Sequence, residues 1–188
     1  MRVFIAVDID DSVRAALGNL QKELEKASSV DRKDVKWVRP DDMHLTLKFL
    51  GEIEDKKSAE VCKTVEEVAK KHKIFELGVE SVGYFGKNSA TVLWVGTAAG
   101  SDSLQSLAGD LEGQLVQVGW PAEERPFTGH LTLCRIKNPR AGRILAQLAE
   151  QYKDFRAGTV QIDDVKVYQS ILMPAGPVYT VLGKFKLG

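Results

Sequence analysis

Three histidines occur in the 188 residues of this chain, and two of them open the same tetrapeptide, His44-Leu45-Thr46-Leu47 and His130-Leu131-Thr132-Leu133. At average amino-acid usage a given histidine is followed by Leu-Thr-Leu with a chance on the order of one in a thousand or less. An imidazole can take or give a proton near neutral pH. Two His/Thr pairs could therefore place two proton carriers and two hydroxyls around one substrate. A lone strand histidine is more often structural, but duplication with threonine on the same face reverses that reading.

Each motif sits in an apolar stretch rich in β formers, residues 43–50 and 129–136. A strand sends alternate side chains to opposite faces, so histidine and threonine share one face and the two leucines the other. The leucines can then sit on a core while the polar pair faces a cleft. By the same alternation Lys48 joins the face of His44, whereas Arg135 faces away unless its strand ends or twists. Either cation could bind phosphate, with a surface charge as the default. Arg135, Lys137, Arg140 and Arg143 form a local basic patch that suits an RNA backbone or an ordinary solvated face.

The third histidine, His72, lies in the lysine-rich run 70–73 and reads as a solvated surface residue. Two histidines with no third histidine or carboxylate nearby make a poor zinc set, so no metal or other cofactor is expected. Asp42 reads as a loop residue. The segment 83–88, Gly-Tyr-Phe-Gly-Lys-Asn, lacks P-loop spacing and reads as a turn.

Lysine and arginine total 26, equal to aspartate and glutamate, so no net positive charge advertises non-specific nucleic-acid binding. Apolar residues make up 44% of the chain, enough for a sizeable core in one domain or two small lobes. Cys62 and Cys134 show neither metal-ligand nor disulfide-framework spacing, which fits a reducing cytoplasm. The run Arg2–Val7 reaches Asp8 too soon for a signal peptide, and no apolar run approaches the roughly 20 residues of a membrane span.

Strand 3–9 should lead through cap chemistry at residues 10–12 into a helix bearing Val13, Leu17, Leu20 and Leu24. After the first motif, Val61, Val65 and Val68 predict a second helix, and strands over 75–82 and 91–95 predict a hairpin. Ser101 or Ser103 should cap a third helix carrying Leu104, Leu107 and Leu111 up to Gly119. A short helix follows the second motif around 144–149, and strands over 160–172 and 179–187 close the chain in a hairpin around the turn 174–177. The second motif begins at 130 against 44 for the first, 86 residues on, close to half the chain. The order implies an α+β protein of two related, pseudo-symmetric halves with both histidines in a shared cleft.

With their flanks, residues 37–52 and 125–135, the motifs resemble the two-histidine phosphoesterases. Within that superfamily the chain resembles the LigT-like RNA 2′,3′-cyclic phosphodiesterases, also called 2′-5′ RNA ligases, which similarly begin like Arg2-Val3-Phe4-Ile5-Ala6-Val7. The pattern around Gln169-Ser170 and Pro174-Ala175-Gly176-Pro177-Val178-Tyr179 extends the likeness over nearly the whole chain. Gly129 departs from a frequent proline and could loosen the loop that aims His130; Cys134 departs from a small residue. The resemblance implies one bilobal domain over 1–188, with antiparallel sheets, helices packed outside and a central cleft. It implies metal-free hydrolysis of 2′,3′-cyclic phosphate to a 2′-phosphomonoester, with His44 as proton donor and His130 as proton acceptor. Thr46 and Thr132 would bind the phosphate, aided by Arg135 or Lys48. The expected partners are RNA or nucleotides with cyclic phosphate ends, tRNA fragments among them, acted on by a cytoplasmic monomer. Reversible 2′-5′ ligation and non-catalytic RNA-end binding are the competing functions.

Overall fold

The computed structural model describes residues 1–174 and 176–188; Ala175, in the expected turn 174–177, lies outside the described residues. β1 (Arg2–Val7) is apolar on both faces because it runs inside a four-stranded antiparallel sheet of order β3-β1-β8-β9. Val3, Ile5 and Val7 enter the main core, while Phe4 and Ala6 line the opposite face. Asp10 then accepts from the Val13 amide at 2.8 Å and starts α1 (Asp11–Ser28), as its cap chemistry predicts.

Short β2 (Val35–Trp37) leads through a 3-10 turn at Pro40–Asp42 to β3 (Leu45–Glu52), which carries the first motif. α2 (Ser58–Ala69) follows, burying Val61, Val65 and Val68. β4 (Phe75–Phe85) and β5 (Val92–Thr97) form the expected hairpin, although β4 runs three residues beyond its predicted end and takes in Gly83, Tyr84 and Phe85. Gly83 there fits beneath Trp94, whose ring would stand 2.3 Å from a Cβ.

α3 (Ser101–Gln117) is capped by Gly100 rather than by a serine. Gly100 has φ +81°, and a Cβ there would meet the Glu76 carbonyl oxygen at 1.9 Å, so the turn beneath β4 admits only glycine. Ser101 instead bonds Thr97. β6 (His130–Ile136) carries the second motif, and Asn138 with Pro139 opens α4 (Pro139–Gln151).

The strand expected over 160–172 is two strands in different sheets. β7 (Arg156–Ile162) edges a five-stranded antiparallel sheet of order β2-β6-β5-β4-β7, and β8 (Asp164–Met173) crosses to the first sheet, where it pairs with β9 (Gly176–Lys186). The break at Asp163 is hard to see in the sequence because alternating apolar and polar residues run up to it, Val160-Gln161-Ile162, and on from it, Val165-Lys166-Val167. α1 and α4 pack on the five-stranded sheet, α2 on β8 and β9, and α3 on β3 and β4. Among the described residues the result is an α+β fold of two antiparallel sheets and four α-helices. The His72 imidazole is not free in solvent, since α3 presents Asp110 to it at 2.8 Å.

The motif-bearing strands β3 and β6 meet where the sheets adjoin. Buried Gln21 on α1 fastens this junction: its amide nitrogen donates to the carbonyls of Val38 and Leu133 at 2.7 and 2.8 Å. Gln21→Ala should cost about 1–3 kcal/mol by stripping both carbonyls of that donor. Chemical denaturation should show the loss as a lower midpoint with an unchanged slope.

Candidate active site

Both motifs carry the same backbone irregularity. Against β1, the register passes from Thr46 opposite Ala6 to Lys48 opposite Ile5, leaving Leu47 unpaired. Against β5, it passes from Thr132 opposite Trp94 to Cys134 opposite Leu93, leaving Leu133 unpaired. These are β-bulges at the last leucine of each motif. Burial follows suit: Leu45, Leu47 and Lys48 point inward, as do Leu131, Leu133 and Cys134. Thr46 and Phe49 share the other face with Phe4 and Ala6, and Thr132 and Arg135 share it with Trp94.

The bulges correct both expectations about the cations. Lys48 turns away from His44 into the interior, where its ammonium meets Glu112 on α3 at 2.5 Å and the Pro121 carbonyl at 3.0 Å. That ion pair and the inward turn remove Lys48 from the phosphate set. Arg135 moves the other way, onto the face of His130 and Thr132, and its side chain is exposed. At the position equivalent to Arg135, the first motif presents Phe49.

The two imidazoles have different surroundings. His130 Nδ1 lies 2.7 Å from the Thr128 carbonyl oxygen. A carbonyl only accepts, so Nδ1 carries the hydrogen and the neutral ring keeps its lone pair on Nε2. Phe85 meets the ring edge-on at 5.0 Å and Trp94 stands at 6.3 Å. Gly129, just before, has no room for a side chain, because a Cβ would meet Leu104 and Thr97 at 2.8 and 2.9 Å.

His44 sits in an aromatic box, stacked on Phe4 at 4.6 Å, with Tyr168 at 5.7 Å and Tyr179 edge-on at 5.0 Å. Burial pushes its pKa down to about 4, with Arg14 adding to the effect while Asp8 and Asp42 oppose it. Asp8 is held by Lys166 and by the Tyr168 hydroxyl, which donates at 2.7 Å. Burial disfavours its charge, yet those bonds outweigh burial and keep its pKa below the usual carboxylate range. Burial likewise raises the Tyr179 phenol, helped by Asp42, while Arg135, Arg2 and Arg39 pull it back. Arg2 of the four-stranded sheet and Arg135 of the five-stranded sheet thus both act on the ring that stands against His44.

Thr46 shares the face of Phe4, on which His44 stacks, and Thr132 and Arg135 share the face of Trp94 beside His130; the aromatic walls Phe4, Tyr168, Tyr179, Phe85 and Trp94 and the supporting Asp8 do not stand out in the motifs. Phe4 alone left a signal, as the cleft-face member of a strand apolar on both sides. Among the described residues no three His, Cys, Asp or Glu side chains converge on a metal site. No helix there is long and apolar enough to cross a membrane. A surface groove lies elsewhere, between α1 and β2, lined by Arg14, Lys22, Lys36 and Trp37.

The LigT like Phosphoesterase family model matches residues 7–94 and again 95–179, one match for each motif. The chain belongs to that family. The double match also accounts for the repeated bulge as a duplicated structural unit. An RNA 2′,3′-cyclic phosphodiesterase of Methanothermobacter thermautotrophicus is 30% identical over 188 residues, covering 100% of this chain and 99% of its own. Another of that name from Archaeoglobus fulgidus is 34% identical, covering 99% of this chain and 100% of its own. A Thermus thermophilus crystal structure superposes with a TM-score of 0.82 at 29% identity, covering 100% of this chain and 98% of that one.

With its proton affinity depressed, His44 is neutral in the free LigT-like protein at pH 7. Unfolding restores its ordinary affinity, so this residue's contribution to stability is present above about pH 6.5 and is lost as pH falls toward 4. Ring-proton NMR of the ligand-free protein should place the His44 midpoint near 4; a midpoint at or above 6.5 would contradict the aromatic box as its cause.

Proposed function

We propose that this LigT-like phosphoesterase hydrolyses RNA 2′,3′-cyclic phosphate ends to 2′-phosphomonoesters, using His130 as base and His44 as acid. The observation that supports the reading is that the two His/Thr pairs stand at equivalent positions just before matching bulges, one pair among the aromatic rings of each sheet. Full-length relatives bearing the name RNA 2′,3′-cyclic phosphodiesterase support the substrate class.

His130 Nε2 takes a proton from water as the oxygen attacks phosphorus. The phosphorus–O3′ bond breaks on the far side, and His44 gives its proton to the departing 3′ oxygen. After turnover the proton held by His130 returns to solvent and His44 is recharged from it. Thr46 and Thr132 donate to the non-bridging oxygens, and Arg135 adds a cation to the negative charge gathering there. Lys48 takes no part.

A donor that is neutral in the free protein needs a reason to be charged. The phosphate anion supplies it, adding to Asp8 and Asp42, which already favour the charged ring. Proton uptake by His44 therefore accompanies substrate entry.

His44→Ala and His130→Ala should each lower kcat by roughly 10²–10⁴-fold on a 2′,3′-cyclic mononucleotide, with the fold intact by circular dichroism. Activity should persist with chelator present, and the released nucleotide should carry its phosphate on the 2′ oxygen. A 3′-phosphate product, or full activity in either variant, would contradict the assignment.

A further inference from the structure

Beyond the two His/Thr pairs, the cleft face of the four-stranded sheet continues outward over β1, β8 and β9. Register places Arg2 beside Ser170, and Ser170 beside Tyr179, forming a row one step outside Phe4 and Tyr168. A further step along the same face, Leu172 pairs with Pro177 near the tip of the β8–β9 hairpin. Leu172 is 68% exposed, and Phe49, at the inner end, is 59% exposed. Ile171, Met173 and Val178 are also exposed at that hairpin, and a contiguous exposed apolar patch marks an interaction surface.

Charge decides for which partner. Arg39 is paired with Asp42 at 2.7 Å, but Arg2 makes no ion pair among the described residues. Its register partner Glu52 lies 3.7 Å from the amino terminus instead. Arg2 therefore stands as an unneutralised guanidinium group on an apolar track leading out of the site, while exposed Arg135, on β6 of the other sheet, likewise makes no ion pair among the described residues. Cations beside flat apolar side chains suit single-stranded nucleic acid, whose backbone follows the charge while its bases lie on the platform.

Resting on the cyclic phosphodiesterase reading, we infer that the RNA strand upstream of its cyclic end runs over this track. Arg2 binds the first backbone phosphate, and the Leu172–Pro177 pair supports a base beyond it. A cyclic mononucleotide fills only the His/Thr cleft and gains nothing from the track, whereas an oligonucleotide engages both.

The test compares kcat/KM for a 2′,3′-cyclic mononucleotide and a cyclic-ended RNA trimer in wild type, Arg2→Gln and Leu172→Ser; both changes are on exposed side chains. The wild type should prefer the trimer, and each variant should lower the trimer-to-mononucleotide ratio by roughly five- to tenfold. Arg2→Gln should also reduce the slope of log trimer affinity against log salt by about 0.7, as one phosphate contact is lost. Ratios unchanged within twofold in both variants, with both substrates turned over, would overturn the track alone. A wild type that hydrolyses neither substrate would overturn the reading beneath it, and the track with it. If Leu172→Ser left the ratio intact but converted a dimer to a monomer in sedimentation, the hairpin would be a self-association surface and the inference would fail.

Discussion

The unpaired leucine that ends each His-Leu-Thr-Leu motif sets which side chains follow the histidine's face. Regular alternation would send the residue after His-Leu-Thr-Leu to the face of the histidine; the bulges at Leu47 and Leu133 turn it inward instead. Two consecutive core residues then anchor each strand, and the residue after them returns to the cleft. One lobe uses that return for Arg135 and the other for Phe49. The same backbone device thus gives the site a cation on one side and an aromatic plate on the other. The inward position is equally divergent: Lys48 reaches Glu112 on α3, while Cys134 is packed in the core, burial pushing its thiol up to about 12.

Symmetry of backbone does not extend to electrostatics. A carbonyl fixes the tautomer of His130 and leaves Nε2 ready to accept a proton. Aromatic rings enclose His44, and among the described residues no hydrogen bond to its ring offsets the cost of charge there. A duplicated motif thus stands in two different settings. The neighbours are responsible: Phe4, Tyr168 and Tyr179 on one side, Thr128 and Trp94 on the other.

Much of this was legible in the sequence. The repeated tetrapeptide located both histidines and threonines, and the apolar periodicities located all four helices. Three features escaped for stated physical reasons. A bulge is a property of pairing, so alternation counted along one strand misplaced Lys48 and left Arg135 facing the wrong way. Asp163 is an ordinary polar residue between two alternating apolar/polar runs, and only sheet membership shows that the chain changes sheets there. Gly100 caps α3 because the Glu76 carbonyl lies against it, a contact 24 residues distant that no local cap preference reports.

The central claim is that one phosphate group bridges two imidazoles contributed by different sheets. It is tested most directly by following the ring NMR signals of His44 and His130 together while a 2′-phosphorylated nucleotide is titrated in at neutral pH. Both signals should move along one saturation curve that ends at one equivalent, with His44 shifting toward its protonated form. Response of a single histidine, or two curves with separate midpoints, would contradict a shared phosphate site.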